Sequence, residues 1–184
     1  MSSQRRIMVL YFHPQQRTSR VGSALSTAVK GLEGITFRDM YGIYPNFFID
    51  VREEQRLLEE HDLIVLQHPV YWYSCPPLLK LWIDEVFQYG WAYGSDGTKL
   101  NGKIWLSAVS AGGSTEAYSA SGSNRFDIMT FFSPFNQTAF LCRMKFAQPF
   151  VVHGARGLSD LQLDEACKNY KQLLNSYLVS GELS

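Results

Sequence analysis

Hydrophobic and polar positions along the chain follow two patterns: short uninterrupted apolar runs, and longer stretches with a single apolar face. The strongest runs are Ile7–Phe12, Leu63–Leu66 and Ile104–Ser110. Runs of this length are typical of strands buried on both faces of a parallel sheet. Two weaker segments, Ile35–Asp39 and Phe150–Val152, bring the predicted strands to five.

The segments between these strands carry the periodicity of amphipathic helices, and each begins with a recognisable start signal. These signals are Thr18 or Ser19, the capping box Asp50 with Glu53, Pro77, and Ser159. Pro134 is expected to kink or restart a further helix over Phe126–Cys142. The alternation predicts an α/β protein with a single domain over residues 1–184. We expect a five-stranded parallel sheet of order 2-1-3-4-5 with helices on both faces, a flavodoxin-like three-layer sandwich.

Composition narrows the class of protein. The 184 residues are 46% hydrophobic and 18% charged, and 17 basic residues balance 17 acidic ones. The protein therefore has no strong electrostatic field that would favour binding to nucleic acid or to an anionic membrane. No apolar run approaches the about 20 residues of a membrane helix. A signal-peptide pattern is absent, and the three cysteines are odd in number and far apart, which favours a cytoplasmic protein with reduced thiols. The four histidines have no metal-ligand spacing, so we expect no metal site.

Three loops follow the carboxyl ends of the first, third and fourth strands. The first leads into a helix N-terminus, where free N–H groups suit an anion. The second is the aromatic segment Val70–Tyr73, and the third is the glycine turn Ala111–Ser114. Strands 1, 3 and 4 are neighbours in the predicted order, so the loops should converge at one edge. Singly, a capped helix and a tight turn are ordinary features; together they suit FMN or the flavin half of FAD.

The segment Pro69–Phe87 (PVYWYSCPPLLKLWIDEVF) resembles the NAD(P)H:quinone oxidoreductase branch of the flavodoxin-like flavoproteins. So do GWAY at Gly90–Tyr93 and SAGGS at Ser110–Ser114. Within that branch, YPNFFID at Tyr44–Asp50 and EQRLLEEHDLIVLQHP at Glu54–Pro69 look most like the ancillary subunits of glutathione-regulated potassium-efflux systems.

The resemblance implies a set of cofactor-binding residues in the three loops. The phosphate end would be held by His13, Ser19, Arg20, Val21 and Gly22; the ring would lie along Val70, Tyr71, Trp72 and Tyr73; its pyrimidine edge would bond to Ala111, Gly112, Gly113 and Ser114.

Tyr118 matches the active-site tyrosine of the quinone reductases, and it is the candidate catalytic side chain. Two positions depart from the pattern. Asn124 stands where those enzymes carry a histidine partner to this tyrosine, which places side-chain proton relay in doubt. Several ancillary subunits have a further glycine where this chain has Ser114, so the local hydrogen bonding is expected to differ.

The resemblance further implies two-electron reduction of a quinone or related small electrophile through flavin N5. FMN is favoured over FAD, and NADH and NADPH both stay open as the co-substrate. It also implies a homodimer, with Leu81 and Tyr41–Phe48 as candidate interface residues, and a potassium-efflux transporter partner at the inner membrane. The alternatives are a non-enzymatic regulatory subunit, a flavodoxin-type one-electron carrier, and a flavodoxin-like fold with a degraded site. The balanced charge argues against the carrier, because such proteins are usually strongly acidic.

Overall fold

A computed structural model describes residues 5–15 and 18–183, which form one parallel sheet between two layers of helices. The strands are β1 Ile7–Tyr11, β2 Ile35–Asp39, β3 Leu63–Pro69, β4 Ile104–Ser110, β5 Lys145–Phe146 and β6 Phe150–Val152. Their order is β2-β1-β3-β4-β5, β6 also pairs with β4, and every ladder is parallel. The predicted 2-1-3-4-5 order is confirmed, with a sixth strand added.

The sixth strand arises because the last edge position of the sheet is divided in two. β5 pairs with Ile104 and Trp105, whereas β6 pairs with the Ala108–Ser110 half of β4. Pro149 lies between β5 and β6 and has no N–H to donate to a ladder, which interrupts the strand. A two-residue strand carries no pattern of its own, so β5 was not predicted.

The helices are α1 Arg20–Val29, α2 Met40–Ile43, α3 Val51–Glu59, α4 Pro77–Val86, α5 Ser133–Leu141 and α6 Asp160–Ser180. A 3₁₀ helix over Ile128–Phe132 precedes α5, and Pro134 lies in the first turn of α5, which confirms the predicted restart. The single turn α2 is capped by Asp39, whose carboxylate accepts from the N–H of Gly42 at 3.2 Å. It is too short to show periodicity and was not predicted.

One predicted cap is only half present. The carboxylate of Asp50 accepts from the N–H of Glu53 at 3.1 Å and so caps α3. The Glu53 side chain does not return the bond, because it accepts from Arg56 instead. At α6 the capping box is complete, between Ser159 and Gln162.

Each face of the sheet has its own core. Ile7 and Val9 of β1 pack towards α1 and α6, whereas Met8 and Leu10 pack towards α3, α4 and α5. All seven residues of β3 are buried, as expected for a central strand between two helix layers. No helix in the described part of the chain is long and apolar enough to cross a membrane.

The register aligns the strand ends that carry the three loops. Tyr11 of β1 pairs with Gln67 of β3, and Gln67 pairs with Ala108 of β4. The loops that follow these strands therefore leave the sheet at the same edge, side by side.

Candidate functional site

The first loop delivers the N-terminus of α1 to this edge of the sheet. Ser19 occupies the N-cap, but its hydroxyl makes no capping bond, and the first turn has no acidic residue. Among the described residues no acceptor faces the N–H groups of Arg20, Val21 and Gly22. Free N–H groups at the positive end of a helix dipole form a site for an anion.

The side chains at the start of α1 turn away from this anion site. The Arg20 guanidinium donates to the carbonyl of Leu158 and to Asp160, each at 2.6 Å, and so ties α1 to α6. Val21 is in the core, and a Cβ added to Gly22 would lie 2.5 Å from the Ser19 hydroxyl and 2.6 Å from the Tyr11 hydroxyl. Of the predicted phosphate residues, Arg20, Val21 and Gly22 can therefore offer only their backbone.

Tyr11 is a neighbour of this site that sequence reasoning missed, because it reads as one more apolar strand residue. Burial raises the pKa of its phenol, against the opposing effect of the Ser19 and Ser23 hydroxyls. Its ring centroid lies 6.0 Å from that of His13, whose Nδ1 accepts from the N–H of Gln15 at 3.1 Å. Burial lowers the pKa of His13, which favours a neutral imidazole here.

Gln67 fixes the first turn of α1 to the sheet. Its Nε2 donates to the carbonyl of Gly22 at 3.0 Å and to the Ser26 hydroxyl at 2.9 Å, and its Oε1 accepts from Tyr170 at 3.2 Å. All these groups are buried, so the bonds are shielded from water. In the sequence, the only sign of this role is that Gln67 places an amide directly after the apolar run Leu63–Leu66.

The aromatic segment after β3 is a two-residue turn. Tyr71 and Ser74 exchange N–H···O bonds of 3.3 and 2.9 Å, and Trp72 and Tyr73 between them have φ values of +49° and +61°. Such a turn normally carries Asn-Gly, because positive φ costs other residues roughly 1–2 kcal/mol each. Trp72 is nevertheless 93% exposed. Strained residues with uncovered aromatic rings are characteristic of ligand sites.

Tyr73 is held by contacts that Trp72 lacks. Its hydroxyl donates to Asn124 Oδ1 at 3.3 Å, and its ring centroid lies 5.1 Å from that of Phe131. Behind it lies a cavity of about 300 Å³ that also borders Cys75 and Phe135. Burial raises the pKa of the Cys75 thiol, so this cysteine stays protonated at neutral pH.

The glycine turn after β4 presents backbone to open space. A Cβ added to Gly112 would meet nothing within 4 Å, and Gly112 is exposed. Among the described residues no acceptor faces the N–H groups of Gly112, Gly113 and Ser114. Ala111 is buried, and its N–H is used by the carbonyl of Val152 at 2.9 Å. Ala111 therefore fixes the turn and leaves the other three N–H groups available.

Tyr118 packs against the base of the same turn. A Cβ added to Gly113 would lie 3.0 Å from its ring and 2.9 Å from Asn124 Nδ2. Burial, and to a smaller extent Tyr73, raises the pKa of the Tyr118 phenol. Its ring centroid lies 5.6 Å from that of His153, a contact across 35 positions that no sequence signal indicates.

Two contacts join the three loops. The rings of His13 and Tyr71 meet edge to face at 6.1 Å, which connects the first loop to the second. The bond from Tyr73 to Asn124 connects the second loop to the third. Within the described residues no group of three or more histidine, cysteine, aspartate or glutamate side chains could hold a metal ion.

Comparison with known proteins shows which family the chain belongs to and which proteins it is similar to. The profile of the flavodoxin-like fold family matches residues 5–174. The chain is 41% identical over 182 residues to the glutathione-regulated potassium-efflux system ancillary protein KefG of Pectobacterium atrosepticum, a match covering 99% of this chain and 100% of the relative. General stress protein 14 of Treponema denticola, solved in complex with FMN, is 36% identical with a TM-score of 0.87, covering 93% of this chain and 98% of that one. An NADPH-quinone reductase of P. pentosaceus is 28% identical with a TM-score of 0.83, covering 91% and 96%.

Proposed function

Because this chain belongs to the flavodoxin-like fold family, we propose that it is a flavin-dependent oxidoreductase that transfers two electrons from NADH or NADPH to a quinone. One observation carries the proposal. Three features lie on neighbouring strand ends: the α1 N-terminus, whose first N–H groups meet no acceptor among the described residues, the exposed Trp72 ring and the open Gly112 turn. Those three features match the phosphate, the flat ring and the polar ring edge of FMN.

The residues at the site fit this cofactor in chemistry as well as in position. The open space over Gly112 admits a ring edge, and no acidic side chain in the first turn of α1 opposes a phosphate. The Ser19 hydroxyl and the backbone N–H groups of Arg20, Val21 and Gly22 would hold the phosphate. Trp72 and Tyr73 would cover the ring, and the N–H groups of Gly112, Gly113 and Ser114 would bond to its edge.

Bound flavin would supply the hydride chemistry, and the protein would supply orientation and electrostatics. The free N–H groups of the glycine turn favour negative charge at the ring edge without reorganisation. Trp72 and Tyr73 would exclude water from one side of the ring. FMN is preferred to FAD because the relative from Treponema denticola was solved with FMN.

A second role follows from the similarity to KefG. We propose that the protein is also an ancillary subunit of a potassium-efflux transporter, a cytoplasmic protein that docks at the inner membrane. A single domain over residues 1–184 and a homodimer whose partner completes the site belong to the same proposal. A purely regulatory subunit without redox activity is the competing function.

Reconstitution tests the enzyme. Purified protein, loaded with excess FMN and freed of unbound cofactor, should retain a flavin absorbance spectrum and oxidise NADH or NADPH only when a quinone is present. Failure to bind FMN in excess would contradict the proposal.

The variant Trp72→Ala separates the two proposed roles in a potassium-efflux assay. If it loses quinone reduction but still activates the transporter, docking to the transporter is the primary function.

A further inference from the structure

The hydroxyl of Tyr11 is buried beside the α1 N-terminus, and nothing in the fold accounts for it. Tyr11 is only 3% exposed, and its Oη has no hydrogen-bond partner among the described residues. The ring is held between those of His13 and Phe37, with centroid distances of 6.0 and 6.2 Å. A buried polar atom without a partner requires a physical explanation.

A second hydroxyl faces the same space. Ser19 is the N-cap of α1, where a serine oxygen normally accepts from the N–H two or three residues later. Its hydroxyl makes no such bond. A Cβ added to Gly22 would lie 2.5 Å from Ser19 Oγ and 2.6 Å from Tyr11 Oη. The two oxygens are therefore neighbours, and the space that they share exists because Gly22 has no side chain.

The hydrogens available on these two groups suit an anion at the helix N-terminus. Burial raises the pKa of the Tyr11 phenol, so the phenol is a donor at neutral pH. A serine hydroxyl has one hydrogen and two lone pairs, so Ser19 can accept from Tyr11 and still donate. A phosphate oxygen is an acceptor, and its negative charge strengthens the hydrogen bonds that it receives.

We propose that the phenol of Tyr11 donates to the Ser19 hydroxyl and thereby directs the Ser19 O–H at the phosphate of the bound flavin. This inference rests on the proposed function and adds a residue that is absent from the predicted phosphate site. Tyr11 acts through Ser19 and is a positioning residue. It makes the protein select a flavin that carries a phosphate over riboflavin, which lacks one.

Other polar groups near the phenol are used elsewhere or lie further along α1. The Asp39 carboxylate accepts from the N–H of Gly42 at 3.2 Å and caps α2. Ser23 begins the second turn of α1, and its N–H donates to the carbonyl of Ser19 at 3.2 Å. Burial dominates the pKa of Tyr11, and the Ser19 hydroxyl opposes it more strongly than the Ser23 hydroxyl does. Ser19 is therefore the acceptor that connects Tyr11 to the helix N-terminus.

Titration of the flavin-free protein with FMN and with riboflavin separates binding of the phosphate from binding of the ring. Quenching of flavin fluorescence reports both affinities. Tyr11→Phe should lower the affinity for FMN roughly 10-fold, because a hydrogen bond that supports a charged group is lost. The affinity for riboflavin should stay unchanged, since riboflavin has no phosphate.

A double-mutant cycle tests whether Tyr11 acts through Ser19. Ser19→Ala should cause a loss of FMN affinity similar to that of Tyr11→Phe. The double variant should lose roughly 10-fold and not roughly 100-fold, because the two hydroxyls act as one unit. Ser23→Ala, on the same helix, is the matched control and should keep the wild-type ratio of FMN to riboflavin affinity.

Two further measurements exclude a merely structural role. The phosphorus magnetic resonance of bound FMN should shift in Tyr11→Phe and in Ser19→Ala, and it should stay in place in Ser23→Ala. Urea unfolding of flavin-free Tyr11→Phe should have a midpoint equal to or above that of the wild type, because the substitution removes an unpaired buried hydroxyl.

The outcomes separate two kinds of failure. An unchanged ratio of FMN to riboflavin affinity in Tyr11→Phe, or additive losses in the double variant, would overturn the positioning role and leave the proposed function intact. A lower unfolding midpoint for flavin-free Tyr11→Phe would also overturn it, because the phenol would then stabilise the fold itself. A wild-type protein that binds no FMN would instead refute the proposed function.

Discussion

Trp72 combines an unfavourable backbone conformation with an uncovered side chain. Its φ of +49° is a conformation that glycine adopts freely, and its ring, 93% exposed, contributes little packing. Replacement by glycine should therefore raise the free energy of unfolding of the flavin-free protein, by up to about 1 kcal/mol once the greater freedom of unfolded glycine is allowed for. Urea denaturation measures this change. FMN affinity should fall roughly 10-fold, because the stacking ring is lost.

Trp72→Ala is the matched control, because it removes the ring but keeps a Cβ at positive φ. It should weaken FMN binding as much as the glycine variant without stabilising the protein. Equal stabilisation by both substitutions would mean that the exposed ring, and not the backbone, is the unfavourable feature.

His68 should make the protein sensitive to acid. Burial lowers its pKa to about 4, against about 6.5 in an unfolded chain. Between these values the unfolded state binds more protons, so stability is complete above pH 6.5 and falls as the pH approaches 4. The loss from this one group is roughly 3 kcal/mol across the window.

Urea unfolding of His68→Leu at several pH values checks this prediction. The variant should lose less stability than the wild type between pH 6.5 and pH 4, while His13→Gln, at a less buried position, should behave more like the wild type. Parallel pH profiles for the wild type and His68→Leu would refute the assignment.

At the scale of elements, a buried carboxylate joins one strand of the sheet to three segments that pack on one of its faces. Glu54 of α3 is fully buried and forms an ion pair with Arg38 of β2. It also accepts from the Tyr44 hydroxyl at 2.6 Å and from Trp82 Nε1 of α4 at 3.0 Å. The helix α4 begins directly after the aromatic turn. The network therefore holds in place the helix to which the turn is attached.

A double-mutant cycle measures the strength of this pair. Arg38→Met and Glu54→Gln should each destabilise the protein, and their coupling energy should be about 1–3 kcal/mol because the pair is buried. The exposed pair Lys80 and Asp84 on α4 is the control, with an expected coupling of about 0.5 kcal/mol or less. Similar coupling at both pairs would mean that burial adds nothing.

Elements with a local signal were predictable, and those without one were not. The restart at Pro134 and the start of α4 at Pro77 follow from proline geometry, which needs no tertiary information. α2 and β5 have four and two residues and exist because of their neighbours. Glu53 satisfied the capping-box spacing, yet it pairs with Arg56, since two donors compete for one carboxylate.

At the scale of the whole molecule, the segment around Phe48 exposes several apolar side chains that are close together in the sequence. Phe48 is 86% exposed, and Ile43 and Phe47 beside it are also open to solvent. Tyr44, from the same segment, is instead a core residue bonded to Glu54, and Leu81 is half-buried. Of the predicted interface residues, those around Phe48 are therefore the best placed to meet a second copy.

The predicted homodimer should have twice the 21.0 kDa mass of the chain at micromolar concentration, as measured by light scattering after gel filtration. Phe48→Asp should reduce the mass to that of a monomer. Leu161→Asp, at an 82% exposed position on α6, should leave it unchanged. A wild-type monomer would contradict the prediction.

The sequence by itself determined the order of the longer helices and strands, the 2-1-3-4-5 sheet order and the three loops that share an edge. Each depends on local periodicity, proline and glycine geometry, or the neighbour rules of parallel sheets. Only the tertiary structure decided which side chains face the site. It directed the Arg20 guanidinium to Asp160, placed Tyr11 against Gly22 and brought His153 to Tyr118. These pairings join distant positions through the packing of separate elements, and periodicity along the chain carries no information about them.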